Sequence, residues 1–168
     1  MTGWRWQVIE QLLKTKNPLL GAEIGVKEGR FIAHMLQNYP NLKMYAVDPW
    51  ESQPEGNETY KEWNFNNIYK EYQQKVKPYA DRCTELKMYS EKAADLVEDN
   101  SLDFVFIDAQ HDYDSVKRDI SLWQPKVKTG GILSGHDYNP KFPGVVKAVN
   151  ELFTPETGAN DVWYVTAS

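Results

Sequence analysis

Leu19-Leu20-Gly21-Ala22-Glu23-Ile24-Gly25-Val26-Lys27-Glu28-Gly29-Arg30-Phe31 is the stretch on which the reading of this chain turns. An apolar run from Leu19 to Ile24 carries one acid, Glu23. It meets two glycines four apart, Gly25 and Gly29, and then Phe31, Ile32, Met35 and Leu36 at helical spacing. That order predicts a buried strand, a tight glycine turn and the start of a helix. Such a turn lets a ligand approach the backbone and meet the N–H groups of the helix start. Taken alone, the same pair of glycines also suits a bare strand-to-helix turn with no ligand.

Working outward, Trp4 to Lys16 places Val8, Ile9, Leu12 and Leu13 a turn apart, an amphipathic helix stopped by Asn17-Pro18. Lys43 to Asp48 reads as a second strand. Trp50 to Asn57 reads as a polar loop, and Tyr60 to Val76 as a helix with Phe65, Ile68, Tyr69, Tyr72 and Val76 on one face. Thr84 to Tyr89 is a third strand, and Ser90 is placed to cap a helix running to Glu98. Leu102 to Asp108 is a near-continuous apolar strand, as expected for one buried on both faces. Tyr113, Val116, Ile120 and Trp123 mark a helix face, Ile132 to His136 a fifth strand, Pro143 to Phe153 a helix and Asp161 to Thr166 a last strand. The alternation predicts an α/β fold: a Rossmann-like, mostly parallel sheet of six or seven strands with helices on both faces. Ligands of such sheets sit at the carboxyl ends of the strands. Glu23 and Gly25, Asp48, Ser90, Asp108 and Asp137 are therefore expected on one rim.

With 168 residues, the chain is read as one domain over 1–168, with an N-terminal helix in 1–18 and a loop plus helix in 49–78. A net charge of -5 argues against a nucleic-acid partner, whose binding face would be basic. The single cysteine, Cys83, excludes an intrachain disulfide and fits a reducing compartment. No signal-peptide core and no apolar run of spanning length is seen, so a cytoplasmic protein without membrane contact is expected. The aromatic-rich stretch from Tyr60 to Tyr72 suits core or a homodimer face, with a lid over the rim as the alternative.

The ordered set Glu23-Ile24-Gly25-Val26-Lys27-Glu28-Gly29, Asp48, Asp103 to His111 and Lys128 to Tyr138 resembles the class I S-adenosylmethionine-dependent methyltransferases. The similarity covers about residues 19 to 153 and is greatest to the short bacterial O-methyltransferase branch that modifies sugars and other natural products. It implies S-adenosylmethionine as cofactor and a small-molecule hydroxyl as acceptor. It further implies that Glu23, Gly25 and Gly29 line the methionine end, that Asp48 accepts from the ribose hydroxyls, and that Ser90 and Glu91 flank the adenine. Relatives of this type often hold a divalent metal such as Mg2+ with acids after the fourth and fifth strands. Here those places carry Asp108 and Asp137 with His136 beside them, and an imidazole suits a softer metal than magnesium. Asp108 is thus expected to serve cofactor, metal and catalysis together. Where some relatives carry a further acid this chain has Gln110, which cannot act as a base. His111 beside it can, since imidazole titrates near neutral pH.

His111 and His136 each also admit a reading as hydrogen-bonded structural histidines, and Ser90 as no more than a cap. Three rival functions remain in view. A non-catalytic domain binding S-adenosylmethionine or S-adenosylhomocysteine would explain Gln110 and the short C-terminal part. A nicotinamide-dependent enzyme would need glycine where Lys27 stands. A metallohydrolase on Asp108, His111, His136 and Asp137 lacks a recognisable ligand spacing. The expected lid comes from the N-terminal helix with Trp4 and Trp6, from Pro49 to Lys70, or from another subunit.

Overall fold

In the computed structural model, which describes residues 4–51 and 63–168, the apolar run Leu102–Ile107 forms β4, the centre of the molecule. From Phe104 on, its side chains alternate between two cores. Leu102, Val105 and Ile107 enter one, while Phe104 and Phe106 enter the other. This is the double burial that a strand apolar at nearly every position requires.

On either side lie β1 (Leu20–Ile24), β2 (Lys43–Val47), β3 (Cys83–Leu86), β5 (Val127–Gly135), β6 (Glu156–Thr157) and β7 (Trp163–Thr166). Among the described residues these make one seven-stranded sheet in the order β3-β2-β1-β4-β5-β7-β6. β7 runs antiparallel to both β5 and β6, and the other pairs are parallel. Helices α1 (Arg5–Leu13), α2 (Arg30–Asn38) and α3 (Phe65–Val76) cover one face. The other is covered by α4 (Ser90–Ala94), α5 (Tyr113–Trp123) and α6 (Pro143–Leu152). The resemblance implied this architecture, and the seventh strand is the two-residue β6, too short to carry a periodic pattern.

Three local departures from the sequence reading have physical causes. β5 begins at Val127, so Gly130 and Gly131 lie inside it rather than before it. The β4–β5 register shifts between Leu102 and Phe104, and Gly130 takes φ 78°, a bulge that glycine permits. Helix α4 ends at Ala94, and Ser90 does not cap it. The capping position belongs to Tyr89, and the Ser90 hydroxyl turns inward instead. The loop expected over Trp50 to Asn57 and the start of the helix expected from Tyr60 fall largely on residues 52–62, outside the described residues; α3 itself begins at Phe65, with Asn64 accepting from the Asn67 N–H.

Close contacts anchor the layer that carries the glycine turn. A Cβ on Gly21 would lie 2.4 Å from Phe104 Cε1, so the ring of β4 occupies the space a side chain would need. Phe106 stacks on Phe31 of α2 with centroids 4.3 Å apart. The C-terminus of α2 is closed by Arg82, whose guanidinium donates to the carbonyls of Leu36, Tyr39 and Leu42. Ile9 and Leu13 are fully buried and seat α1 on this layer. His34, which the sequence left without a role, stacks on Trp6 at 4.7 Å and lies 2.9 Å from Glu10. Both contacts fix how α1 lies, and hence where Arg5 points.

Candidate active site

The carboxyl ends of β1, β2, β4 and β5 open on a cavity of about 440 Å³. The strand order reverses between β1 and β4, the position at which open α/β sheets bind ligands.

Gly25, at φ 87°, carries β1 into the turn, and its N–H donates to Val47 O at 2.9 Å. A Cβ here would sit 2.2 Å from the backbone oxygen of Asp108, so glycine alone lets the exit of β4 pass. Asp48 holds the turn from the β2 side. Its Oδ2 accepts from the N–H groups of Val26 (3.0 Å) and Lys27 (2.9 Å), and its Oδ1 from Trp50 N–H (2.7 Å). Burial raises the carboxyl above its ordinary value, against those three hydrogen bonds. A carboxylate offers about four lone-pair sites, so about one remains for a ligand hydroxyl.

Gly25 and Asp48 line the cavity; Glu23 and Gly29 do not. Glu23 lies beneath the turn, 1% exposed, and accepts from the Ile32 N–H at 3.1 Å. Burial pushes its carboxyl well above the usual range, with the Arg5 charge opposing. Gly29 caps α2 at φ 73°, and a Cβ there would meet Tyr72 Cδ2 at 2.9 Å. Of the three residues expected at the methionine end, the cavity wall includes one. Gly25 faces the cavity, while Glu23 and Gly29 shape the turn from behind.

Ser90 and Glu91 border the cavity at the end of β3. Ser90 Oγ accepts from Trp123 Nε1 at 2.8 Å and is hydrogen-bonded to Asp119. Glu91 Oε1 lies 2.7 Å from Arg118 Nε. Asp119, on α5, also lines the cavity and is pushed up to about 6. Burial is the main cause and the Glu91 charge adds to it, while Ser90 and Arg118 act the other way.

The ends of β4 and β5 bring Asp108, His111, His136 and Asp137 together. Asp137 adopts φ 59°, a left-handed conformation costly for a non-glycine residue. Its Oδ2 lies 2.7 Å from His111 Nε2 and its Oδ1 3.1 Å from His136 Nδ1. Burial would raise the Asp137 carboxyl, but the two imidazoles outweigh it and hold the group far below the usual carboxylate range. His136 is raised in turn: burial opposes its charged form, and Asp137 and Asp108 overcome it. His136 Nε2 is buried without a hydrogen-bond partner among the described residues. Asp108, raised by burial, receives an ion pair from the Arg5 guanidinium of α1.

Ligand atoms of Asp108, His111 and Asp137 all lie within 4.8 Å of one another. The sequence reading put His136 in the metal set with Asp108 and Asp137. The compact set contains His111 instead, and His136 stands on its flank, 3.7 Å from Asp108.

Sequence reasoning missed Arg5 and Asp119. Arg5 meets Asp108 across 103 residues of chain, a separation that no local pattern reveals. Asp119 left a trace: it falls on the α5 face that carries Val116, Ile120 and Trp123, where a charged residue is out of place. The described part of the aromatic stretch, from Trp63 on, contributes to both core and cavity wall. Tyr72 is core under Trp50, with centroids 4.4 Å apart, and Trp63, Phe65 and Ile68 line the cavity.

Comparison with known proteins places this geometry in a lineage. Residues 22–138 match the model of a family described as a methyltransferase domain. The uncharacterized protein R132 of Acanthamoeba polyphaga mimivirus is 28% identical over 153 residues, covering 88% of this chain and 66% of that protein. The chain thus spans just under two-thirds of that curated relative's length. The structure of the O-methyltransferase NovP superposes with a TM-score of 0.71 at 17% identity, over 96% of this chain and 77% of that one. CalS11, a TDP-rhamnose 3'-O-methyltransferase of calicheamicin biosynthesis, gives 0.65 at 16% identity, over 95% and 75%. At such identities the structural likeness is one of fold. The match over most of the chain decides the family: this protein belongs to the methyltransferase-domain family and has the class I S-adenosylmethionine-dependent methyltransferase fold.

Proposed function

We propose that this chain transfers the methyl group of S-adenosylmethionine to a hydroxyl oxygen of a small molecule, a sugar or a related natural product. One observation carries the reading. A single cavity at the strand ends has Gly25 and Asp48 at one side, Ser90 at another, and the His111–Asp137 pair beside them. Its volume, about 440 Å³, is in the range of small-ligand sites. Asp48, with about one acceptor site free, takes a ribose hydroxyl; Gly25 leaves room for the methionine part; Ser90 and Glu91 border the adenine. The TDP-rhamnose acceptor named for CalS11 favours a sugar hydroxyl here.

The sulfonium already activates the methyl, so the protein's contribution is alignment and removal of one proton. His111 is placed for the second task. With Nε2 directed at Asp137, Nδ1 carries the lone pair that takes the acceptor's proton, and Asp137 steadies the resulting imidazolium. The acceptor oxygen then forms its bond to the methyl carbon as the carbon–sulfur bond breaks, leaving S-adenosylhomocysteine.

Two carboxylates and an imidazole within 4.8 Å are a donor set that fits a divalent cation. Asp108, His111 and Asp137 would hold it, and with the imidazole ligated it would take over from His111 as base by lowering the pKa of a bound hydroxyl. A cation there competes with Arg5 for Asp108.

The test is transfer of labelled methyl from S-adenosylmethionine to a panel of sugars and phenols, read as labelled product and S-adenosylhomocysteine. Transfer to a hydroxyl supports the proposal. Tight cofactor binding with no transfer across the panel favours a non-catalytic binding domain. The Arg5 ion pair on Asp108 and the glutamine at position 110 are the features that keep that second reading alive.

A further inference from the structure

The side of the cavity built from α1, the β1–α2 turn and α2 is basic. Among the described residues Arg5, Lys27 and Arg30 line it against one acid, Glu28. In a chain whose net charge is -5, that is a local reversal of sign. The seam between α1 and α2 brings the two arginines to this wall. Trp6 of α1 stacks on His34 of α2; Arg5 directly precedes Trp6, and Arg30 lies one turn before His34 on the same helix face.

The three cations are not equally engaged. Lys27 Nζ lies 3.6 Å from Glu28 Oε1 and 4.0 Å from the centroid of the Trp63 ring, so its charge is met within the wall. Arg5 gives Nη1 to Asp108, and the other donors of its fork meet no acceptor among the described residues. Arg30 is exposed, lines the cavity and makes no hydrogen bond or ion pair among the described residues. It also opens α2, where the helix dipole disfavours a cation and no acid of the first turn offsets it. Elsewhere in the cavity the acids have partners of their own: Asp48 accepts from three N–H groups, Glu91 meets Arg118, and Asp137 meets two imidazoles.

We propose that the methyl acceptor carries a phosphate group, held by Arg30 and the remaining donors of Arg5. The proposal rests on the methyl-transfer reading above and deepens it by naming the acceptor's class. Guanidinium forks match phosphate oxygens in pairs, and two forks offer more donors than the two oxygens of a carboxylate can use. Arg5 reaches Asp108, which shares its cluster with His111, so a phosphate on this wall leaves the acceptor's hydroxyl on the side of the base.

The experiment is calorimetry on the wild-type chain and Arg30→Gln, with thermal melts confirming that the variant folds. S-adenosylhomocysteine is titrated first; inorganic phosphate is then titrated into the saturated protein, with acetate at the same ionic strength as the control. Phosphate is expected to bind the wild type at one site, at least about tenfold more tightly than acetate. Arg30→Gln should weaken phosphate by at least about tenfold and leave S-adenosylhomocysteine within about twofold of its wild-type affinity. No phosphate binding, acetate bound as tightly as phosphate, or a variant that holds phosphate as the wild type does overturns the proposal. A variant that loses S-adenosylhomocysteine affinity gives Arg30 to the cofactor's own carboxylate and overturns it too. Each of these results leaves the methyl-transfer reading standing, whereas a wild type that does not bind S-adenosylhomocysteine overturns both.

Discussion

Asp119→Asn should make this protein more stable at pH 8, and the gain should vanish in acid. The carboxyl stands at about 6 in the folded chain against an ordinary value of 3.8. Because the folded value is raised, the folded chain holds the proton more tightly than the unfolded one. Stability therefore falls as pH climbs from about 4 to about 6, and the full penalty applies above that window. At about 1.36 kcal/mol per pH unit, the gap of about 2 units amounts to roughly 3 kcal/mol. Asp119 is almost wholly buried, so solvent screening takes little from this figure. Asn keeps the oxygen that accepts from Ser90 and removes the charge. For a chain of this length each kcal/mol moves the melting point by about 2–4 °C, so the expected rise at pH 8 is about 6–12 °C. Urea denaturation and thermal melts of both proteins at pH 8 and pH 4, without ligand, measure it. A variant less stable than wild type at pH 8, or a difference that is the same at both pH values, would refute the reasoning. The reasoning has a functional side: a charge kept where it costs stability is characteristic of a binding site rather than of a core.

Further predictions concern the turn and the cluster at the ends of β4 and β5. Gly25→Ala places a Cβ 2.2 Å from a backbone oxygen at φ 87°, so it should cost more than about 2 kcal/mol and abolish cofactor binding, as denaturation and calorimetry will report. Gly29→Ala sets a Cβ 2.9 Å from the buried Tyr72 ring at φ 73° and should cost about 1–3 kcal/mol, yet leave binding largely intact because Gly29 does not line the cavity. His111→Ala should lower kcat by about 100-fold or more with S-adenosylhomocysteine affinity retained; unchanged turnover would remove His111 as the base. Arg5→Ala frees Asp108 from its guanidinium and should tighten Mn2+ binding by about tenfold, measured by electron paramagnetic resonance of free Mn2+. Equal Mn2+ affinity in the two proteins would show that cation and Arg5 do not share the site.

The fold was legible where periodicity carried it. β1, α2, β4 and α5 each show a run or spacing that leaves one reading, and their alternation specifies a parallel sheet. β6 was not legible, because two residues hold no period and are defined by pairing with β7. The start of β5 was missed because glycines normally end a strand, and here a bulge keeps them inside one. At the site, residues at strand ends could be read because topology brings strand ends together. Asp48, Ser90, Glu91, Asp108, His111, His136 and Asp137 all line the cavity. What could not be read was the choice of neighbour among them. Glu23 faces α2 rather than the cavity, His111 takes the place in the donor set given to His136, and Arg5 arrives from another helix. Those pairings depend on side-chain directions in three dimensions, which spacing along the chain does not encode.

Calorimetric titration of the wild-type chain with S-adenosylmethionine and S-adenosylhomocysteine, with NAD as the control, tests the central claim most directly. The account predicts saturable binding of both adenosyl ligands at one site and no heat with NAD. No binding of either adenosyl ligand, or binding of NAD in their stead, would contradict it.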